Sequence, residues 1–195
     1  DLYDRDCNTE EQALRLLSFS KVLKNMKSMC FKKCNLDKTC ADAVAGFLRV
    51  GSLTSLDLSS NDVGAYFTGH GLVVTDVSVF HAIAVSNSLT AINLSNNGLD
   101  ARAAEALAPV LRDNGSLTSI NLNDNLLGAA GAKALVEGGA FMGSLTSIKL
   151  NWNDLGAEGA KELVDGGAFS GSLTKIDLSC NRLDAGAATA LAPAL

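Results

Sequence analysis

One frame recurs along this chain: Leu-x-x-Leu-x-Leu-x-x-Asn-x-Leu. Four copies are nearly identical: Leu89, Ile92, Leu94, Asn97, Leu99; then Leu117, Ile120, Leu122, Asn125, Leu127; then Leu145, Ile148, Leu150, Asn153, Leu155; then Leu173, Ile176, Leu178, Asn181, Leu183. Their starts lie 28 residues apart three times running. An earlier copy, Leu53, Leu56, Leu58, Asn61 and Val63, has a period of 36. A degenerate first copy is Met26, Met29, Phe31, Cys34 and Leu36, with a period of 27. A fixed period of this length is the signature of a stacked array, in which each unit buries its apolar face against its neighbours.

The spacing has a mechanical meaning. Ile92 and Leu94 are two apart, so they share one face of a short strand. The Asn that follows can donate and accept, and can satisfy backbone groups where the chain turns inside the stack. Asn61, Asn97, Asn125, Asn153 and Asn181 are therefore predicted to form a ladder, with Cys34 as the small substitute in the first unit. The next element reads as a helix. Each copy is followed by an N-cap type: Asp37, Gly64, Asp100, Gly128, Gly156 or Asp184. Leu107, Leu135, Leu163 and Leu191 then share a helical face with Ala104, Ala132, Ala160 and Ala188, three residues before them. Gly138-Gly139 and Gly166-Gly167 read as helix ends. Aromatic residues are only 5%, so the layers must be aliphatic.

These residues resemble the leucine-rich repeat family. The 28-residue length and the "LGAAGAKAL" type of helix are similar to the ribonuclease-inhibitor-like subclass, also found in the sensor arm of NOD-like receptors. The resemblance covers about residues 22–195. It implies an α/β solenoid, a horseshoe arc with parallel strands on the concave face and helices on the convex face. It also implies a protein-binding function. The subclass includes the GTPase-activating protein of Ran, so a GTPase-regulator role is a further alternative, although no motif here carries that activity over.

The chain divides into an N-terminal capping region, 1–25, and six repeats over 26–195, starting near 26, 53, 89, 117, 145 and 173. In the cap, Thr9 and Gln12 fit a capping box, and Leu14, Leu17 and Val22 can shield the first layer. The second repeat carries an insertion within 64–76, "GAYFTGHGLVVTD". It reads as a loop, either folded back on the helix edge through Phe67 and Val73 or protruding for recognition through Tyr66, Phe67 and His70. The last repeat is six residues short of a full period. Arrays normally end in a polar cap, so more chain or a covering partner is expected there.

Little in the sequence points to chemistry. His70 and His81 have no Cys or carboxylate at metal-ligand spacing, so no metal site is expected. "GHG" at 69–71 lacks the strand-to-helix pattern of a dinucleotide site, and no cofactor is expected. No nucleophile–base set is evident, and the chain is read as non-enzymatic. Residues 1–50 hold nine Lys/Arg against seven Asp/Glu, while residues 51–195 hold seven against fourteen. That acidic body argues against nucleic acid. Lys21, Lys24, Lys27, Lys32, Lys33 and Lys38 read either as a solvated face or as a dock for an acidic partner. Apolar runs are too short for a transmembrane helix. Five Cys, an odd number, with no visible signal peptide, favour reduced thiols and an intracellular setting. A Cys7 bridge to Cys34 or Cys40 is the alternative.

The concave columns follow from strand alternation. One is Cys30, Asp57, Asn93, Asn121, Lys149, Asp177; the next is Lys32, Ser59, Ser95, Asn123, Asn151, Ser179. Small polar groups dominate, whereas interface hot spots favour Trp, Tyr and Arg. Lys149, Asn151, Trp152, Lys175 and Asp177 are the exception and the first candidate contact patch; Tyr66, Phe67 and His70 are the second. Trp152, the only tryptophan, reads either as a cover over a neighbouring loop or as an exposed anchor at the lip of the sheet. A protein-binding module is the leading function, and a structural subunit buried in a larger assembly is the alternative.

Overall fold

The structure is a computed structural model of the chain, and it describes residues 27–33, 44, 48, 52–61, 66–68, 71–73 and 78–192. The expected capping region 1–25 lies outside the described residues, as do Cys7, Cys34, Cys40 and His70. Six three-residue strands form one parallel sheet: β1 (Ser28–Cys30), β2 (Ser55–Asp57), β5 (Ala91–Asn93), β6 (Ser119–Asn121), β7 (Ser147–Lys149) and β8 (Lys175–Asp177). Four described helices run between them, α1 (Ser78–Val85), α2 (Ala101–Asp113), α3 (Gly128–Glu137) and α4 (Gly156–Asp165), and a fifth, α5 (Ala185–Leu191), follows β8. Val44 and Leu48, one turn apart in helical conformation, are buried. The solenoid expected from the repeat is the architecture found.

Register follows the repeat without a slip. Met29, Leu56, Ile92, Ile120, Ile148 and Ile176 align across the sheet. Cys30, Asp57, Asn93, Asn121, Lys149 and Asp177 align beside them. The central residue of an interior strand is buried and its two neighbours are less so. This is the period of two acting on a sheet with one face in the core. On the helices, Leu107, Leu135 and Leu163 and their partners Ala104, Ala132 and Ala160 are all buried. The layer at β8 differs: Leu173, Ile176 and Leu178 are only partly buried. Leu191 there is also only partly buried, and Ala188 is exposed rather than packed, because no following helix lies over it among the described residues.

Two further ladders stitch the units. In the Ser-Leu-Thr motif that opens each frame, Ser88, Ser116, Ser144 and Ser172 donate Oγ to the carbonyls of Leu53, Leu89, Leu117 and Leu145, at 2.7–2.9 Å. Thr54, Thr90, Thr118, Thr146 and Thr174 donate Oγ1 to the residue one unit back, Lys27, Thr54, Thr90, Thr118 and Thr146. The Ser hydroxyls serve carbonyls at the strand entry, whereas the Thr hydroxyls add a third donor to carbonyls that already accept two backbone N–H groups, as the Thr54 carbonyl does from Thr90 and Ala91.

The helix entries come in two kinds. Asp100 and Asp184 are side-chain caps, accepting from Ala103 and Ala187 N–H at 3.0 Å. Gly128 and Gly156 instead open their helices at positive φ, and their N–H groups donate to Asn153 and Asn181 carbonyls in the next unit. The sequence reads all four as N-caps; the glycines perform the turn by backbone freedom and not by a side chain. Part of the insertion is paired. Tyr66–Thr68 (β3) and Gly71–Val73 (β4) pair antiparallel as a separate hairpin.

Glycine in the Gly-Ser-Leu-Thr motif is a packing requirement in one copy and not in another. A Cβ on Gly143 would lie 2.4 Å from the Leu111 carbonyl oxygen, which is backbone and cannot swing away. One on Gly115 would meet nothing within 4 Å. Gly143→Ala is expected to cost about 1–3 kcal/mol in urea unfolding. Gly115→Ala is expected to leave the urea midpoint nearly unchanged, and equal losses at both sites would refute the packing account.

Candidate functional site

The buried ladder sets the position of everything on the concave side. Asn61, Asn97, Asn125, Asn153 and Asn181 are 0–5% exposed. Each donates Nδ2 back to the carbonyl of the strand-end residue one unit earlier: Phe31, Leu58, Leu94, Leu122 and Leu150. Asn125 Oδ1 accepts from Asn97 and Leu99 N–H, both at 3.0 Å. Asn181 Oδ1 accepts from Asn153 and Leu155 N–H. To reach this geometry, the residue before each ladder position turns left-handed. Lys33, Ser60, Asn96, Asp124, Trp152 and Cys180 all have φ between 53° and 57°.

That column answers the question about Trp152. Left-handed backbone suits Gly, Asn and Asp, and costs other residues about 1–2 kcal/mol. Asn96 and Asp124 fit; a tryptophan does not. Its side chain is 62% exposed. The ring is therefore not a cover over a neighbouring loop, because the turn aims it outward. It stands at one end of an open groove of about 520 Å³ that runs along the concave face to Lys32, past Asp57, Asn93, Ser95, Asn96, Asn123 and Asn151.

Many polar groups of the concave face are engaged in the fold. Asp57, Asn93, Asn121 and Asp177 each accept the N–H of the residue two further on, at 2.8–3.1 Å. Lys149 breaks the series, since an ammonium has no acceptor to offer. Asn151 N–H turns to Asn123 Oδ1 of the neighbouring unit, at 3.1 Å. Lys149 is exposed. Asp177 is held below the usual carboxylate range, chiefly by the Ser179 hydroxyl and N–H, then by Lys149 and Lys175. Lys175 belongs to a third column, aligned with Ser147 on the near side of the core residues. Lys149, Asn151, Trp152, Lys175 and Asp177 thus lie together on β7, β8 and the turn after β7. The second candidate set is elsewhere: Tyr66 and Phe67 are on β3 of the hairpin.

Two features escape sequence reading. The Ser and Thr ladders are visible as an unvarying "SLT", although nothing in that triplet says which carbonyl it serves. The other is a defect beside Trp152. Asn153 Oδ1 is buried with no partner, as is Asn151 Oδ1. By analogy with Asn125 and Asn181, Asn153 Oδ1 should accept from Asn125 and Leu127 N–H. The residue after each ladder Asn is left-handed at Gly98, Asp154 and Arg182, but not at Leu126, whose N–H goes to the Leu99 carbonyl instead. Leu126 is 70% exposed, so its side chain gains nothing there.

No group of three or more potential metal ligands occurs among the described residues. No described helix is long and apolar enough to cross a membrane. Cys30 and Cys180 are free and exposed. Of the lysine patch, Lys27, Lys32 and Lys33 are described and exposed.

A sequence profile described as "Leucine Rich repeat" matches residues 52–65, 85–108, 113–136, 144–164 and 171–192. No curated protein matches the chain. Among solved structures, "Leiomodin-1 Actin-Binding Site 2" is similar, at 15% identity and a TM-score of 0.57, over 95% of this chain and 86% of that one. The tropomodulin C-terminal domain of Caenorhabditis elegans is similar at 15% identity and a TM-score of 0.54, over 96% and 92%. At that identity the likeness establishes the fold.

Leu126→Gly should let the fourth turn adopt the left-handed form and bring N–H groups to Asn153 Oδ1. The expected gain is about 1 kcal/mol, since an unsatisfied buried polar group costs about 1–3 kcal/mol. Thermal unfolding measures it; a loss of stability would show that the turn is not what leaves Asn153 short.

Proposed function

Since the chain belongs to the leucine-rich repeat family, with the 28-residue strand–helix unit of the ribonuclease-inhibitor-like subclass, we propose that it is a non-enzymatic protein-binding module whose contact surface is the concave lip around Trp152. One observation carries this reading. A large aromatic is exposed at a backbone position that penalises it, in a column where the neighbouring units place Asn96 and Asp124. Neither burial nor local backbone preference favours Trp there. Strain kept without a gain in stability points to function. Trp is also the residue type most often found to dominate an interface.

The surrounding groups supply orientation. Lys149 and Lys175 beside the ionised Asp177 give a mixed-charge border to the aromatic, which favours one docking register over others. The groove beyond Trp152 is lined by small polar groups, suited to a partner's backbone or polar side chains. Tyr66, Phe67 and His70 of the insertion are the second contact candidate. Free, exposed Cys30 and Cys180 fit a reducing, intracellular compartment.

Actin is the first named partner to test, because the similar leiomodin-1 structure is an actin-binding site. Affinity capture from the native source identifies other partners. Trp152→Asn separates binding from folding. It is expected to raise stability by about 1 kcal/mol, by relieving the left-handed tryptophan. It is also expected to weaken partner binding by about 2 kcal/mol, or roughly 30-fold. Isothermal titration and thermal unfolding read the two effects. A parallel loss of both would assign Trp152 to packing and sink the proposal.

A further inference from the structure

Two large apolar side chains stand exposed on adjacent turns inside the stack. Leu126 is 70% exposed, against 62% for Trp152. Leu126 follows the ladder residue Asn125, and Trp152 precedes the ladder residue Asn153. Described units flank both turns, at Asn97 and at Asn181. Each departs from its column at a local cost. Trp152 keeps left-handed backbone that suits Asn or Asp. Leu126 keeps ordinary backbone where Gly98, Asp154 and Arg182 turn left-handed, and Asn153 Oδ1 is buried without a partner. Both departures expose apolar area and neither adds burial. Together they mark a surface kept for contact.

Asp124 joins the two. Its N–H donates to the Asn151 carbonyl at 2.8 Å, which ties its turn to that of Trp152. Asp124 and Trp152 have φ of 56° and 57°. They share one turn geometry, so their side chains leave in parallel, about 5 Å apart across neighbouring units. Along the chain, Asp124 stands two residues before Leu126. Asp124 and Trp152 both line the open groove, which Lys149 and Lys175 do not. Asp154, the other carboxylate on these turns, is occupied by Arg182 at 3.1 Å. Asp124 is exposed and makes no ion pair among the described residues. A carboxylate between two apolar side chains suits a basic residue. Lysine and arginine lay an aliphatic stem on apolar surface and keep the charged head free to pair. The same head is attracted to an indole face.

We propose that Asp124, Leu126 and Trp152 form one docking surface, and that its occupant is a partner segment with a lysine or arginine between apolar side chains. The cationic head pairs with Asp124, and the stem and its apolar neighbours cover Leu126 and the indole. This inference rests on the reading of Trp152 as a contact, and it adds the charge and the second anchor of the partner. Charge complementarity sets the register, since an acidic segment on the same apolar pair would meet Asp124 as a like charge.

A display library of short random peptides, panned on the folded chain at low ionic strength, tests it. Peptides with a basic residue flanked by apolar ones should be enriched. Panning on Asp124→Lys should deplete them and enrich acidic ones instead. That variant and Asp124→Asn introduce residue types that the same column already holds at Lys33 and Asn96, with φ of 56° and 53°. A synthetic peptide of the enriched sequence should shift the fluorescence of Trp152, the single tryptophan. In isothermal titration, Asp124→Asn should weaken that peptide about 5-fold and remove its salt dependence. Leu126→Gly should weaken it about 10-fold. Circular dichroism checks that each variant folds. No enrichment, enrichment without basic residues, or the same peptides selected by Asp124→Lys would overturn the proposal. Loss of binding in Trp152→Asn alone, with Asp124→Asn and Leu126→Gly unaffected, overturns this inference and leaves the earlier reading standing. Loss in those two variants but not in Trp152→Asn removes the Trp152 reading, and this surface with it.

Discussion

A buried side-chain amide holds each unit of this solenoid to the next. The strands are three residues long, too short to satisfy their own ends, and the chain must turn sharply inside the stack. Asn97, Asn125, Asn153 and Asn181 solve that problem by donating Nδ2 to a carbonyl one unit back. Burying an amide is unfavourable unless it is hydrogen-bonded, so the bonds and the stacking are obligatory partners. The same constraint explains the Ser ladder, which treats the other end of the same short strand; the Thr ladder reinforces carbonyls the backbone already reaches.

The ladder dictates the shape of its neighbours. For the amide to point inward, the preceding residue is thrown into left-handed backbone in all five units that carry the Asn, and Lys33 before Cys34 shares that backbone. Its side chain then leans toward solvent at the lip of the sheet. Most copies place a small or polar residue there, at modest cost. Trp152 is the departure, and its exposure follows from the ladder, not from any property of tryptophan. One turn away, Leu126 keeps ordinary backbone, and the amide oxygen it should have helped to satisfy is left without a partner. Both irregularities fall in adjacent units, on either side of the same ladder residue.

Stacking also decides which apolar residues are buried. The Leu and Ile columns are identical in chemistry from unit to unit, yet Ile148 is fully buried and Ile176 is not. In a one-dimensional array, burial is a property of having a neighbour on each side.

Period and alternation, both written in the sequence, determined the units, the faces and the register. Ile92 and Leu94 must share a face because strand side chains alternate, and the recurring Leu-x-x-Leu-x-Leu-x-x-Asn-x-Leu frame leaves one way to align the strands. The ladder asparagines and both concave columns were legible for the same reason. Tertiary structure alone decided where the turns place their side chains. Trp152 could be a cover or an anchor until the sign of φ was known, and that sign is set by a hydrogen bond between units. The strand pairing in the insertion, the glycine turns at Gly128 and Gly156 and the unmet Asn153 Oδ1 are of this kind. Each depends on what the adjacent turn of the solenoid offers, and a linear pattern specifies the turn itself but not the neighbour it meets.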